Sequence, residues 1–268
     1  MTQLEKTLLL LKKIVTQPSS LKKLIDYEDI YHKHLQKKYT LKKLPTVDIR
    51  LILPDFAETV NHYTFLEGTS LDIDIALLKA LARQFSACHY LELGSWRGES
   101  LANIAEIAER CTSISFADAD LQKLGFGNEM IRLNRFFSKN LSNVTHIGHD
   151  TRTFDFKSLN PTFDLIFVDA DHSYEAVRDD TKNVFPLLRN DKSVIVWHDY
   201  GYSTERARSP VLAGILDGLP DDEARQHVYH VSNTLCAIYT RQPIDKAMLT
   251  SAQTLDKVFS IHIRSKNV

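Results

Sequence analysis

The chain has only three cysteines, Cys88, Cys111 and Cys236, among 268 residues. None belongs to a C-x-x-C pair, and three are too few for a disulfide framework. All three are expected to be reduced, and Cys88 and Cys236 fall in apolar, strand-like runs. Net charge is equally scarce: 33 basic residues against 34 acidic ones leave −1. A nucleic-acid partner is therefore not expected. Long apolar runs are missing too. Leu8 to Leu11 is followed at once by Lys12-Lys13, which is too short for a signal-peptide core or a transmembrane segment. There is no internal repeat and no low-complexity tract. These absences predict a cytoplasmic globular protein.

The chain does have enough apolar residues for a packed core, at 43%. Its charge is also unevenly spread. Residues 1–43 hold ten lysines and no arginine, against Glu5, Asp26, Glu28 and Asp29. This excess reads first as a solvated helical face. Leu4, Leu8, Leu11 and Val15 share one helical face, Pro18 breaks it, and a second helix is expected over 20–38. The stretch 40–70, with Pro45 and Pro54, reads as a connection. Residues 70–86 read as an amphipathic helix. Beyond it, strands near 88–93, 112–117, 143–147, 163–168 and 193–197 alternate with helices near 98–110, 127–140, 174–188 and 206–217. Two last strands, near 227–231 and 235–240, close the pattern. This alternation predicts an α/β fold with a doubly wound, seven-stranded, mostly parallel sheet. Residues 1–69 are expected to form a helical N-terminal extension, and 70–268 the main domain.

The most informative stretch is His89-Tyr90-Leu91-Glu92-Leu93-Gly94-Ser95-Trp96-Arg97-Gly98-Glu99-Ser100. It reads as a buried strand closed by an acid, a glycine-spaced turn and a helix start. Gly94 and Gly98 allow a tight turn and a close backbone approach, and Ser100 stands where a helix N-terminus can hold an anion. The spacing is neither the dinucleotide fingerprint Gly-x-Gly-x-x-Gly nor a P-loop. The block Glu92 to Ser100 resembles the loop of class I S-adenosylmethionine (SAM)-dependent methyltransferases, in particular the catechol and caffeoyl-CoA O-methyltransferases. That resemblance spans about residues 70–240 and implies a Rossmann-like sheet with an antiparallel last strand.

It also implies a cofactor site. Gly94, Ser95, Trp96 and Gly98 would wrap the methionine part of SAM, with Glu92 toward its ammonium and Ser100 toward its carboxylate. Asp118, with Asp120 as the alternative, would accept the ribose hydroxyls. Asp150 and Thr151 would border the adenine. No pyrophosphate site accompanies these residues, which opposes a nicotinamide cofactor.

Two further strands end in polar clusters: Asp169-Ala170-Asp171-His172-Ser173-Tyr174, and His198-Asp199-Tyr200 after Val194 to Trp197. The caffeoyl-CoA enzymes carry a similar Asp-Ala-Asp-Lys run, whose first Asp binds a metal and whose Lys acts near the substrate hydroxyl. His172 stands in that Lys position, and histidine suits general-base work near neutral pH. By the same resemblance Asp169, His198 and Asp199 form a metal set. Two carboxylates and one imidazole suit Mg²⁺ less than an all-oxygen site and also accept Mn²⁺, Fe²⁺ or Zn²⁺. The pattern Asp-x-Asp-His-x-Tyr with Trp-His-Asp-Tyr resembles a bacterial branch of these methyltransferases. Against these roles, His172 could simply cap the helix near Ser173, and His198 could satisfy a buried carbonyl.

The expected reaction is SAM-dependent methyl transfer to a hydroxyl of a small-molecule or saccharide substrate. His172 would be the base, and Asp169 would shape the site. Arg206 and Arg208 could pair with an anionic substrate group, and Trp96, Tyr63 and Tyr202 could offer an aromatic wall. Three alternatives remain: a SAM-binding regulatory protein, a nicotinamide-dependent oxidoreductase and an RNA methyltransferase. The sequence leaves a homo-oligomer open.

Overall fold

The computed structural model describes residues 26–251 and 253–267. The expected helix over 4–15 lies outside the described residues, as does the start of the second. In chain order the N-terminal elements are α1 (Tyr27–Tyr39), β1 (Thr46–Val47), α2 (Ile49–Ile52) and α3 (Asp72–Ala82). Next come β2 (His89–Leu93), α4 (Glu99–Ala105), β3 (Arg110–Ser115), α5 (Asp118–Lys123), α6 (Asn128–Leu133) and β4 (Val144–Gly148). Then follow β5 (Leu165–Val168), α7 (Tyr174–Val184), β6 (Val194–Trp197), and the hairpin of β7 (Gly201–Ser203) and β8 (Arg206–Ala207). Last are α8 (Ser209–Gly218), α9 (Asp222–Arg225), β9 (Val228–Val231) and β10 (Ala237–Tyr239).

The main sheet has eight strands in the order β1-β9-β10-β6-β5-β2-β3-β4. Strand β10 runs antiparallel to both neighbours, and every other pairing is parallel. All seven expected strands are present. The eighth, β1, comes from the stretch read as a connection: it pairs with β9 through Thr46↔His230 and Val47↔Val231. Two residues are too few to show a periodicity.

Other boundaries move for local reasons. Strand β3 ends at Ser115, so Asp118 opens a helix rather than following a strand directly. The helix expected over 127–140 stops at Leu133, and Arg135 takes a positive φ of 57°. The helix expected from 206 begins at Ser209, because Arg206 and Ala207 are spent in the hairpin. No helix among the described residues is long and apolar enough to cross a membrane.

Both faces of the sheet are buried, as a mostly parallel sheet requires. Alternation along each strand divides the core. Leu91, Leu93, Ile166, Val168, Ile195 and Trp197 pack on one face with Val211, Leu212 and Ile215 of α8. Tyr90, Leu165, Phe167, Val194 and Val196 pack on the other with Leu77, Leu78 and Leu81 of α3. The chain runs outward from β2 through β3 to β4 on one side, and through β5 and β6 on the other. The order therefore reverses between β2 and β5, where ligands of open α/β sheets bind.

Candidate active site

Strand register places the chemistry. Leu93 is level with Val168, and Val168 with Trp197. The residues that follow, Gly94, Asp169 and His198, therefore leave the sheet side by side. Backbone bonds hold the three exits: Gly94 N donates to Ile114 O (2.9 Å), Asp169 N to Leu93 O (2.8 Å) and His198 N to Val168 O (3.0 Å). Gly94 has φ +85°, and a Cβ there would stand 2.2 Å from the Asp169 carbonyl. Only glycine lets these two strand ends approach so closely. Gly98 also has a positive φ, but its close neighbour is the Ser138 hydroxyl (2.3 Å from a Cβ). Its constraint is thus packing beneath the loop.

A cleft of about 340 Å³ opens over these strand ends. Gly94, Trp96, Gly98, Ser100, Asp169, His172, His198 and Asp199 all line it. Four of the polar side chains form a network at its floor. His172 Nε2 lies 2.9 Å from Asp199 Oδ2. Arg208 Nη2 holds the other oxygen, Asp199 Oδ1, at 3.0 Å. His198 Nδ1 is 3.0 Å from Asp169 Oδ1 and 3.4 Å from Asp199 Oδ2. Asp199 sits at φ 54°, a left-handed backbone that aspartate tolerates better than most residues. Backbone outliers of this kind gather at functional sites.

The charges in this network depend on one another. Burial disfavours the charged imidazole of His172, but Asp199 and Asp169 outweigh it and raise its pKa above the usual histidine value. Burial also opposes protonation of His198, yet Asp169, Asp199 and Asp74 carry its pKa well above normal. Asp199 is buried enough to favour its acid form, but His172 and His198 hold its carboxyl well below the usual carboxylate range.

A grouping that overlaps the expected metal set lies at the same place. Among the described residues, Asp169, His172 and Asp199 offer ligand atoms that all lie within 4.8 Å of one another. His198 keeps its Nδ1 toward Asp169 and Asp199, while its Nε2 lies 3.2 Å from Asp74 Oδ2 and the residue is only 8% exposed.

The expected cofactor residues divide into two groups. Gly94, Trp96, Gly98, Ser100 and Asp169 face the cleft. Glu92 is fully buried behind it, accepting from Ser100 Oγ (3.0 Å) and Tyr90 OH (2.7 Å). Burial raises its carboxyl to about 7, against the pull of those two hydrogen bonds. Ser95 is buried beside it, with a hydroxyl that has no partner. Asp118, Asp150 and Thr151 do not line the cleft. Asp118 is exposed and accepts from Asn134 Nδ2 (2.7 Å), while Asp120 pairs with Lys123 (3.3 Å). Asp150 pairs with Arg152 (2.7 Å), so an adenine amine would have to share it.

Two participants escape a sequence reading, and a third enters it in another role. Asp74 of α3 is fully buried and takes both His198 Nε2 and the Leu235 amide (2.9 Å). Arg97 lies inside the glycine loop, between Trp96 and Gly98. It reaches Glu99 (3.1 Å) and the Glu67 carbonyl (3.0 Å). With Glu99, which accepts from the Thr64 amide (2.9 Å), it fastens the strap that brings Gly68, Thr69 and Ser70 over the cleft. Arg208, expected as a substrate contact, lies 3.0 Å from Asp199 Oδ1 through its Nη2.

Residues 91–200 match a protein family described as a methyltransferase domain. Among solved structures, the chain is similar to a provisionally assigned O-methyltransferase from Klebsiella pneumoniae. They share 16% identity over 66% of this chain and 84% of that one, with a TM-score of 0.47. It is also similar to the O-methyltransferase TomG from Streptomyces achromogenes, involved in tomaymycin synthesis and solved with SAM. Here identity is 16%, coverage is 81% of this chain and 92% of that one, and the TM-score is 0.41. A third is the N-methyltransferase NodS from Bradyrhizobium japonicum, with 14% identity, 62% and 92% coverage and a TM-score of 0.39. No curated protein matches the chain. At such identities and scores, no residue role carries over from these proteins.

Proposed function

We propose that this chain, whose residues 91–200 match a methyltransferase-domain family, is a class I SAM-dependent methyltransferase that methylates a hydroxyl oxygen of a small molecule or saccharide. The observation that carries this reading is the His172–Asp199 pair (2.9 Å) on the floor of the cleft that the glycine loop lines. A paired imidazole beside a cofactor cleft is the arrangement a general base requires.

The site suits the cofactor. Gly94 lets the ends of β2 and β5 close together beneath the cleft, so that the glycine loop lines it, and Ser95 holds a buried hydroxyl without a partner. When bound, SAM supplies a methyl group on a sulfonium centre, open to in-line attack. Gly94 and Ser100 would hold its amino-acid end. Asp118, or Asp120, would take the ribose, and Asp150 and Thr151 would border the adenine. Trp96, 39% exposed at the mouth, would be covered by ligand.

His172 takes the proton from the acceptor hydroxyl through its Nδ1, since Nε2 faces Asp199. Asp199 orients the ring and stabilises the imidazolium, and Arg208 fixes Asp199 in turn. Asp169 and the 68–70 strap shape the acceptor side and limit water. Alignment and deprotonation are what this reaction asks of a protein, because the electrophile is supplied ready-made.

The Asp169–His172–Asp199 grouping favours a second reading. These residues would hold a divalent ion such as Mg²⁺ or Mn²⁺, which would lower the pKa of the acceptor hydroxyl. His172 would then be a ligand rather than the base.

Calorimetric titration with SAM tests the cofactor, run once with EDTA and again with Mg²⁺ or Mn²⁺. Binding in both buffers with no added heat from the ion supports the base reading. A metal-dependent increment supports the second. No binding in either buffer overturns the methyltransferase assignment. Release of S-adenosylhomocysteine with phenols, sugars and amines then fixes the acceptor atom.

A further inference from the structure

We infer that Glu28 of α1 is a positioning residue for this active site: it fixes the 202–209 segment so that Arg208 holds Asp199 and, through it, His172. The inference rests on the assignment of His172 and Asp199 as the working pair.

The argument starts at the beginning of α8. Its N-cap residue is Arg208, whose side chain offers no acceptor to the first amides. A cation is also disfavoured at a helix N-terminus. Glu28, which lies 181 positions away in sequence, supplies what is missing. Its Oε1 and Oε2 accept from the Ser209 amide at 3.0 and 3.1 Å. The same carboxylate accepts from Tyr202 OH at 3.3 Å. The Tyr202 ring in turn carries the Arg208 guanidinium, 4.6 Å from its centroid. Arg208 N donates to Tyr200 O (2.7 Å), and its Nη2 ends 3.0 Å from Asp199 Oδ1. One carboxylate thus fixes both the backbone that bears Arg208 and the ring on which it lies.

Glu28 is not needed to seat α1. That helix is held independently by three of its own side chains, His34, Lys38 and Tyr39, which converge on Asp217 of α8, where Tyr174 of α7 also donates. The Tyr31 ring also stacks on Tyr174 at 4.5 Å and 27°. Removing Glu28 should leave α1 docked and loosen only the path to Asp199.

The test compares E28A, E28Q, R208A and E28A/R208A, using the best acceptor found by S-adenosylhomocysteine release. Hydrogen exchange is followed over 199–212 and 29–39 in the ligand-free full-length protein. E28A should lower kcat by roughly ten- to a hundredfold with the KM for SAM unchanged. E28Q keeps an amide oxygen for the Ser209 N–H and should recover most of the loss. The double variant should be no slower than R208A alone, because both changes break one path. Additive losses, or an unchanged kcat in E28A, overturn the inference. If the wild type turns over no acceptor, the methyltransferase reading fails separately and exchange decides the positioning claim. Faster exchange confined to 199–212 supports it. No change there, or equal acceleration through α1, overturns it.

Discussion

Asp217 is the residue through which α1 is joined to the rest of the molecule, and Asp217→Ala should show its worth. The carboxylate is 7% exposed and accepts from His34 Nε2 (2.8 Å), Lys38 Nζ (2.7 Å), Tyr174 OH (2.8 Å) and Tyr39 OH. A hydrogen bond to a charged acceptor is worth about 1.5–3 kcal/mol. Lys38 is 52% exposed, so solvent screens its share to well under ~1 kcal/mol. Water can reach the half-buried tyrosines and repair part of their loss. The net cost should be about 3 kcal/mol, which lowers Tm by roughly 6–12 °C for a chain of this size. Asp217→Asn keeps one acceptor oxygen and should lose less. The pH dependence has a definite sign. Burial works against the charged form, but Lys38, Tyr39 and Tyr174 hold the carboxyl well below its usual range. Its contribution is therefore present above about pH 4 and is lost as pH falls further. Thermal melts followed by circular dichroism should show the wild-type advantage at pH 7 and its decline below pH 4. A change under roughly 2 °C at pH 7 would refute the idea that this carboxylate secures α1.

Other residues give sharper functional readouts. Gly94→Ala forces a Cβ to within 2.2 Å of the Asp169 carbonyl at φ +85°, so SAM affinity in calorimetry should fall at least about tenfold; wild-type affinity would contradict the close packing of the two strand ends. His172→Ala should keep SAM affinity while turnover drops about 10²–10⁴-fold. In the wild type, turnover should rise with pH through an apparent pKa above about 6.5, since Asp199 and Asp169 outweigh burial at this ring; a flat profile would remove it from the base role. Burial lifts Glu92 to about 7, so the folded state binds its proton better than the unfolded chain does. Its contribution to ligand-free stability is greatest below about pH 4.5 and falls by roughly 3 kcal/mol as pH rises past 7. Glu92→Gln should flatten that slope in thermal melts, and an unchanged slope would assign it to other groups.

Much of the fold was legible because the central strands β5 and β6 are uninterrupted apolar runs closed by a polar residue. Leu165 to Val168 and Val194 to Trp197 announce both their burial and the point where the chain leaves the sheet, and β2 departs from this pattern only by Glu92 and its exit at Gly94. The N-terminal region was much less legible. Periodicity reports that a segment has a buried face, not what covers it. Nothing local to Glu28 signals the Ser209 amide, and nothing local to Asp217 signals the four groups that converge on it. Strand β1 is hidden for a different reason: its two residues borrow their order from β9 and have no pattern of their own. Charge counting over residues 1–43 reported a lysine excess, but it could not show that Lys38 is directed at one carboxylate.

The two histidines show where a sequence argument could have gone further. Both follow apolar strands, and both were assigned chemistry. Alternation separates them. Along β6, Val194 and Val196 face α3, while Ile195 and Trp197 face α8. His198 is next in line, so its parity sends it to the α3 side. Asp169 follows Val168 with the same parity along β5. That puts His198 and Asp169 together on the face where α3 presents Asp74, and the 3.0 and 3.2 Å contacts follow. A ring held between carboxylates in a buried site is favoured as the cation. His172 escapes this constraint because the chain has already turned out of the strand at Ala170. Its ring reaches Asp199 from the cleft and remains partly exposed. Backbone parity thus gives the two imidazoles different surroundings, His198 against Asp74 of α3 and His172 at the cleft.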